Sequence, residues 1–125
     1  MLYLKALAAA ILAMGSRGAL AATPTAEYYS DFNSQPGTQK LRVCKHADFV
    51  DCVILGGAIN TCYNVPSSWN DVISSIRVPA FVSQCVIYEH ASCTGQSLRV
   101  GTLLGVDNLK DYSLNDKVSS FRCSS

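Results

Sequence analysis

Two stretches of the chain share one frame: WNDVISSIRV at 69–78 and LNDKVSSFRC at 114–123. Asn, Asp, both serines and the arginine recur at the same spacing. The repeat extends upstream, where CKHADFVDCVI (44–54) aligns with YEHASCTGQSL (88–98), setting His46 on His90 and Ala47 on Ala91. The offset is 44 residues at the histidines and 45 at the Asn-Asp frame, so one single-residue gap reconciles them. An open array needs at least three stacked units to bury a continuous core, and two copies are too few. Two copies can instead close on each other as one pseudo-symmetric domain.

The space for that domain is limited. Residues 1–21 carry Lys5, the apolar run Ala6–Met14 and then small residues ending in Ala19-Leu20-Ala21. This layout predicts a secretory signal peptide cleaved after Ala21. The apolar run is too short to span a bilayer, which takes roughly 20 residues, and no membrane span is expected elsewhere. The leader takes Lys5 and Arg17 with it, so eight of the ten basic residues remain beside nine acidic ones. A balance near neutrality gives no electrostatic footprint for nucleic acid or an anionic membrane. The expected mature product is secreted and extracellular, with roughly 100 residues, enough for one compact domain.

Cys44, Cys52, Cys62, Cys85, Cys93 and Cys123 all follow the leader. An even number of cysteines in a small exported domain predicts three disulfides, in any of 15 pairings. Zinc is the rival explanation, but there is no CxxC pair and the compartment is oxidising.

Residues 22–40 are rich in Ser, Thr, Pro, Gly and Asn without a sustained period, which predicts either a loose N-terminal arm or an added edge segment. From Leu41 onward, short β-branched or aromatic stretches recur: LRVCKHADF, CVIYEH, SLRVGTLL, and the runs through Ile73–Val78 and Val118–Cys123. Gly-Gly, Pro-Ser-Ser, Thr-Gly and Asp-Asn breaks separate them at intervals of about ten residues, as in all-β Greek-key folds. Leu109–Tyr112 could form one helical turn; nothing else after the leader looks helical.

These residues resemble the βγ-crystallin superfamily. Its signature is Tyr-Glu-x-x-x-aromatic-x-Gly, then about 20 residues on Asn/Asp-Asn/Asp-x-x-Ser/Thr-Ser. YEHASCTG and SLNDKVSSFR supply both halves in repeat two. WNDVISSIRV matches fully in repeat one, where KHADFVD is a worn version of the hairpin. The likeness covers about 41–123 and implies an all-β, disulfide-stabilised sandwich of two Greek keys, about 41–80 and about 82–123, within a domain spanning 41–125. Three departures stand out: Cys44 and Cys93 replace aromatic residues, and Asp51 replaces a glycine whose place needs positive φ, which Asp tolerates better than most residues. In this fold the strands holding Cys85 and Cys123 adjoin, so the resemblance implies a bond between them.

The resemblance also implies calcium. Ca²⁺ takes six to eight oxygens from carboxylates, carbonyls, hydroxyls and water, and the Asn-Asp-x-x-Ser-Ser frame offers such donors within a few residues. Mg²⁺, Zn²⁺ and copper want strict octahedra or N/S ligands. Carried over residue by residue, one site would take the Lys45 and Val72 carbonyls, the Ser74 hydroxyl and the Asp116 carboxylate. The other would take the Glu89 and Lys117 carbonyls, the Ser119 hydroxyl and the Asp71 carboxylate. Asn70 and Asn115 would hold the loops, while Ser75 and Ser120 would bond the backbone beneath. One carboxylate per site implies modest affinity, roughly 10⁻⁵ to 10⁻³ M.

Other candidates carry less. His46 and His90 occupy equivalent hairpin places, where matched surface turns are the simpler reading than a shared metal. Trp69 reads as a core or rim ring beside the frame. No Gly-x-Ser-x-Gly elbow or HExxH helix organises Ser, His and Asp into catalysis, so the chain is expected not to be an enzyme. The resemblance leaves the role open between a structural or stress-related calcium-binding protein and a secreted toxin, protease inhibitor or host-directed effector, with 101–112 as the inhibitor loop. The sequence names no protein or cell-wall partner.

Overall fold

A computed structural model describes residues 22–125, so the leader expected at 1–21 lies outside the described residues. The described chain forms strands β1 (Glu27–Tyr29), β2 (Thr38–His46), β3 (Val50–Ala58), β4 (Tyr63–Asn64), β5 (Ser75–Arg77), β6 (Gln84–His90), β7 (Thr94–Gly101), β8 (Gly105–Val106) and β9 (Ser120–Ser124). They pair antiparallel in two sheets, ordered β8-β5-β2-β3-β1 and β4-β9-β6-β7. Without β1 the two orders correspond strand for strand. β4 leaves the first half to pair with β9, and β8 leaves the second half to pair with β5. Each half is a Greek key that lends its third strand to the other's sheet, which makes the halves inseparable.

Alternation along the strands builds the core between the sheets. Leu41 and Val43 of β2 are fully buried while Arg42 between them is not, and Cys85, Ile87, Phe121 and Cys123 repeat the pattern in β6 and β9. Ile73, Leu109, Leu114 and Val118, from the connections, complete it. Gln39 is buried among them. Its Nε2 donates to the carbonyls of Ala58 (2.6 Å) and Thr61 (2.7 Å), and its Oε1 accepts from the Cys123 amide. One fully satisfied amide thus joins both sheets.

Three disulfides are present and no described cysteine is free. Cys44–Cys52 links β2 to β3 and Cys85–Cys123 links β6 to β9, while Cys62–Cys93 ties the connection after β3 to the second hairpin.

Ordered structure starts upstream of Leu41. Within 22–40, Glu27–Tyr29 form an edge strand on β3, and β2 itself begins at Thr38. Two cations hold this segment down. Buried Lys40 pairs with Asp31 (3.0 Å) and donates to the Asn33 carbonyl (2.8 Å), with the Tyr29 ring 4.7 Å away. Burial, then the charge of Glu27, raises the Tyr29 phenol above its ordinary pKa, so the ring stays neutral beneath that ammonium. Arg42 lies over the Phe32 ring at 4.5 Å. Leu109–Tyr112 is a turn of 3-10 helix. A second turn, Ser67–Trp69, departs from the sequence expectation; Pro66 is its N-cap, and the Pro66 carbonyl accepts from the Trp69 amide (2.8 Å).

Candidate functional site

The two frames meet at one end of the sandwich, each reaching across to the other. The Asp116 amide donates to the Ile73 carbonyl (3.0 Å) and the Asp71 amide to the Val118 carbonyl (3.3 Å). Their carboxylates cross the same way: Ser74 Oγ lies 3.4 Å from Asp116 Oδ1, and Ser119 Oγ lies 3.1 Å from Asp71 Oδ1. Asp71 and Asp116 take nearly the same left-handed φ, 61° and 58°, which turns each loop sharply and suits Asp better than most residues.

The hairpins complete each half. Ser75 Oγ donates to the His46 carbonyl (2.7 Å) and accepts from the Phe49 amide (3.1 Å). Ser120 Oγ does the same with the His90 carbonyl (2.5 Å) and the Cys93 amide (2.8 Å). The amides of Ser74 and Ser119 bond the carbonyls of Cys44 and Tyr88 at 2.8 and 3.0 Å. Backbone and hydroxyls therefore fix both hairpins against the frames in matched positions.

This leaves two hollows. One, of about 490 Å³, is lined by Lys45, Val72, Ser74 and Asp116 together with Asn108 and Lys110; the other, of about 170 Å³, by Asp71, Glu89, His90, Asp116 and Lys117. Among the described residues, the carbonyls of Ile73 and Val118 are hydrogen-bonded while those of Val72 and Lys117 accept no bond. Lys45 and Glu89 have no partner in their strand ladders. No three of His, Cys, Asp and Glu form a metal-ligating group among the described residues. Asp71 and Asp116 line both hollows and Glu89 the smaller, so the side chains facing each hollow bring carboxylate oxygens, joined by the Ser74 hydroxyl in the larger. Such oxygen donors are hard.

No family model matches the sequence, and no curated protein matches it either. Solved structures do. Spherulin 3a from Physarum polycephalum is 24% identical, with TM-score 0.58 over 81% of this chain and 95% of its own. A βγ-crystallin domain from Flavobacterium johnsoniae is 27% identical, with TM-score 0.53 over 68% and 93%. The βγ-crystallin domain of Abundant Perithecial Protein from Neurospora crassa, solved in its Ca²⁺-bound form, is 24% identical, with TM-score 0.52 over 69% and 88%. This chain has the βγ-crystallin fold.

Within that fold, the sequence-derived residues divide by contact. Asn115 donates to its neighbour Asp116 (3.2 Å), which orients that carboxylate; the Asn70 side chain bonds no described residue. Trp69 is buried with the Lys45 ammonium 5.1 Å from its ring. His46 and His90 stay exposed and apart, each beside a carboxylate of its own hairpin, Asp51 at 3.2 Å and Glu89 at 3.7 Å. Sequence reasoning passed over Asn108 and Lys110, which line the larger hollow. Asn108 sits 44 residues after Asn64, whose Oδ1 caps the second hairpin at the Ser92 amide (2.8 Å), so the repeat offset was the available signal.

Proposed function

We propose that this protein is a secreted module that binds two calcium ions in its crossed frames and uses them to stabilise a structural or stress-related domain. The observation that carries the reading is the crossed Ser–Asp geometry at 3.4 and 3.1 Å, each pair beside a carbonyl left without a bond. Lys45, Val72, Ser74 and Asp116 would hold one ion, and Glu89, Lys117, Ser119 and Asp71 the other. Calcium would bridge two frames that otherwise meet only through hydrogen bonds, so binding adds to the native state alone. The Ca²⁺-bound Neurospora domain supports calcium as the ion for this fold. Export is supported by the three disulfides, which persist in oxidising compartments.

The test is thermal. Ligand that binds only the native state stabilises it by about 2.7 kcal/mol at a hundredfold excess over Kd, a Tm rise on the order of 10 °C for this size. Ser74→Ala with Ser119→Ala removes one hydroxyl donor from each site and should abolish most of that rise while leaving the calcium-free Tm nearly unchanged. An unchanged calcium response would make the repeated frame a turn device and nothing more.

A further inference from the structure

Among the described residues, the end of the sandwich opposite the frames carries the most exposed of the large apolar side chains. Phe81 is 75% exposed, Leu103 69% and Leu104 60%. They belong to two connections stapled together: the Val78 amide bonds the Leu104 carbonyl (2.9 Å), the Thr102 amide bonds the Ser83 carbonyl (3.0 Å), and Thr102 Oγ bonds the Pro79 carbonyl (3.1 Å). Phe81 and Leu103 sit at φ 68° and 59°. Bulky residues rarely adopt that region, and cost free energy when they do. Here the strained backbone presents two apolar side chains to water, which gives folding nothing. A cluster of this kind marks an interaction surface.

Charge around the tip selects the partner. Of the nine acidic residues, only Glu27 and Asp31 lie away from the frames, the hairpins and the 107–111 segment, and both are on the N-terminal segment. Next to the tip the outer face of β7-β6-β9 carries Arg99 and Arg122, aligned on either side of Val86 and one row from Gly101, Gln84 and Ser124. Both are exposed, and among the described residues neither forms an ion pair. Ser125 lines a small hollow with Phe81 and Thr102 and brings the end of β9 to the tip. Near-neutral overall charge therefore conceals an acidic end and an apolar, weakly cationic one.

We propose that this tip docks on an anionic lipid surface, with Phe81, Leu103 and Leu104 entering the interface and Arg99 and Arg122 facing the headgroups. Apolar burial drives such binding and headgroup charge adds to it. Because only two arginines flank the tip, the apolar residues supply most of the affinity. The site is remote from the frames, so docking does not depend on calcium there.

Sedimentation with phosphatidylcholine vesicles, with and without phosphatidylserine, tests this in EDTA. Wild type should bind both and favour the anionic vesicles. Phe81→Ser with Leu103→Ser should lower partitioning about tenfold or more with no loss of Tm, because both side chains are exposed. Arg99→Gln with Arg122→Gln should remove the preference for phosphatidylserine and leave binding to phosphatidylcholine. A Phe81→Trp variant should shift its emission to the blue on adding vesicles. No binding to either vesicle, binding indifferent to the serine variants, or equal binding to both vesicles would overturn the proposal. So would a wild-type dimer that Phe81→Ser dissociates, which would make the occupant a second copy. Ser74→Ala with Ser119→Ala should bind vesicles like wild type, so failure of the calcium reading leaves this one standing.

Discussion

The two hairpins trace the same path with different chemistry. Asp48, Phe49 and Asp51 take φ of 61°, 63° and 58°; Ser92, Cys93 and Gly95 take 60°, 56° and 85°. Both loops are held from below by a serine that bonds one carbonyl and one amide. Above the loop they diverge. In the first hairpin the Phe49 ring folds back over Arg77, 4.2 Å from its guanidinium, and Cys44–Cys52 closes the hairpin on itself. In the second, Cys93 stands where that ring would be and is bonded to Cys62 of the other half. A turn conformation can thus be kept by a stacked ring or by a covalent tether, provided the hydroxyl beneath is retained.

The sharpest way to break the comparison is to cut the tethers. Cys62–Cys93 encloses 31 residues and Cys44–Cys52 only 8. In the chain-entropy account, removing the first should cost about 4 kcal/mol and the second about 2.5 kcal/mol. Urea unfolding of Cys62→Ala/Cys93→Ala and of Cys44→Ala/Cys52→Ala measures both. A larger loss from the short loop would show that the first hairpin depends on its disulfide for packing rather than for entropy.

The serines test what the hairpins share. Ser75 and Ser120 are fully buried, and alanine at either leaves a hairpin amide without its partner. Each substitution should cost about 2–3 kcal/mol, the two agreeing within about 1 kcal/mol. Amide exchange supplies the local readout, rising at Phe49 in Ser75→Ala and at Cys93 in Ser120→Ala. Exchange that rises in only one hairpin would deny the equivalence.

The paired frames made the fold legible, since Asn-Asp-x-x-Ser-Ser specifies a left-handed Asp, a crossing carboxylate and a buried hydroxyl in six residues. The β-prone stretches and the turn at Leu109–Tyr112 were legible for the same local reasons. What stayed hidden rests on contacts distant in sequence. Cys62 has no local feature that points to Cys93. Gln39 reads as an ordinary polar residue until Ala58, Thr61 and Cys123 surround it. The segment 22–40 has too little period to announce a strand, and Lys40 and Arg42 anchor it through rings at Tyr29 and Phe32. In the site, the frame residues could be named in advance, but Asn108 and Lys110 enter only when the β8 connection is folded against Ser74.

The smallest expected effect separates backbone from contact at the position where one hairpin has glycine and the other aspartate at positive φ. Gly95 is at φ 85°, and a Cβ there would lie 2.5 Å from His90 Cδ2. His90 is exposed and its ring can swing aside, so the contact itself is cheap. The backbone is not: an L-residue in that region costs roughly 1–2 kcal/mol. Gly95→Ala should therefore destabilise by about 1 kcal/mol, and adding His90→Ala should recover little of it. In the first hairpin Asp51→Gly should change stability by less than about 0.5 kcal/mol. Glycine relieves the native φ of 58° but frees the unfolded chain, and the lost His46–Asp51 contact joins two exposed groups of little worth. Full recovery by His90→Ala would place the cost in the ring contact, and the glycine would then be needed for space and not for its conformation.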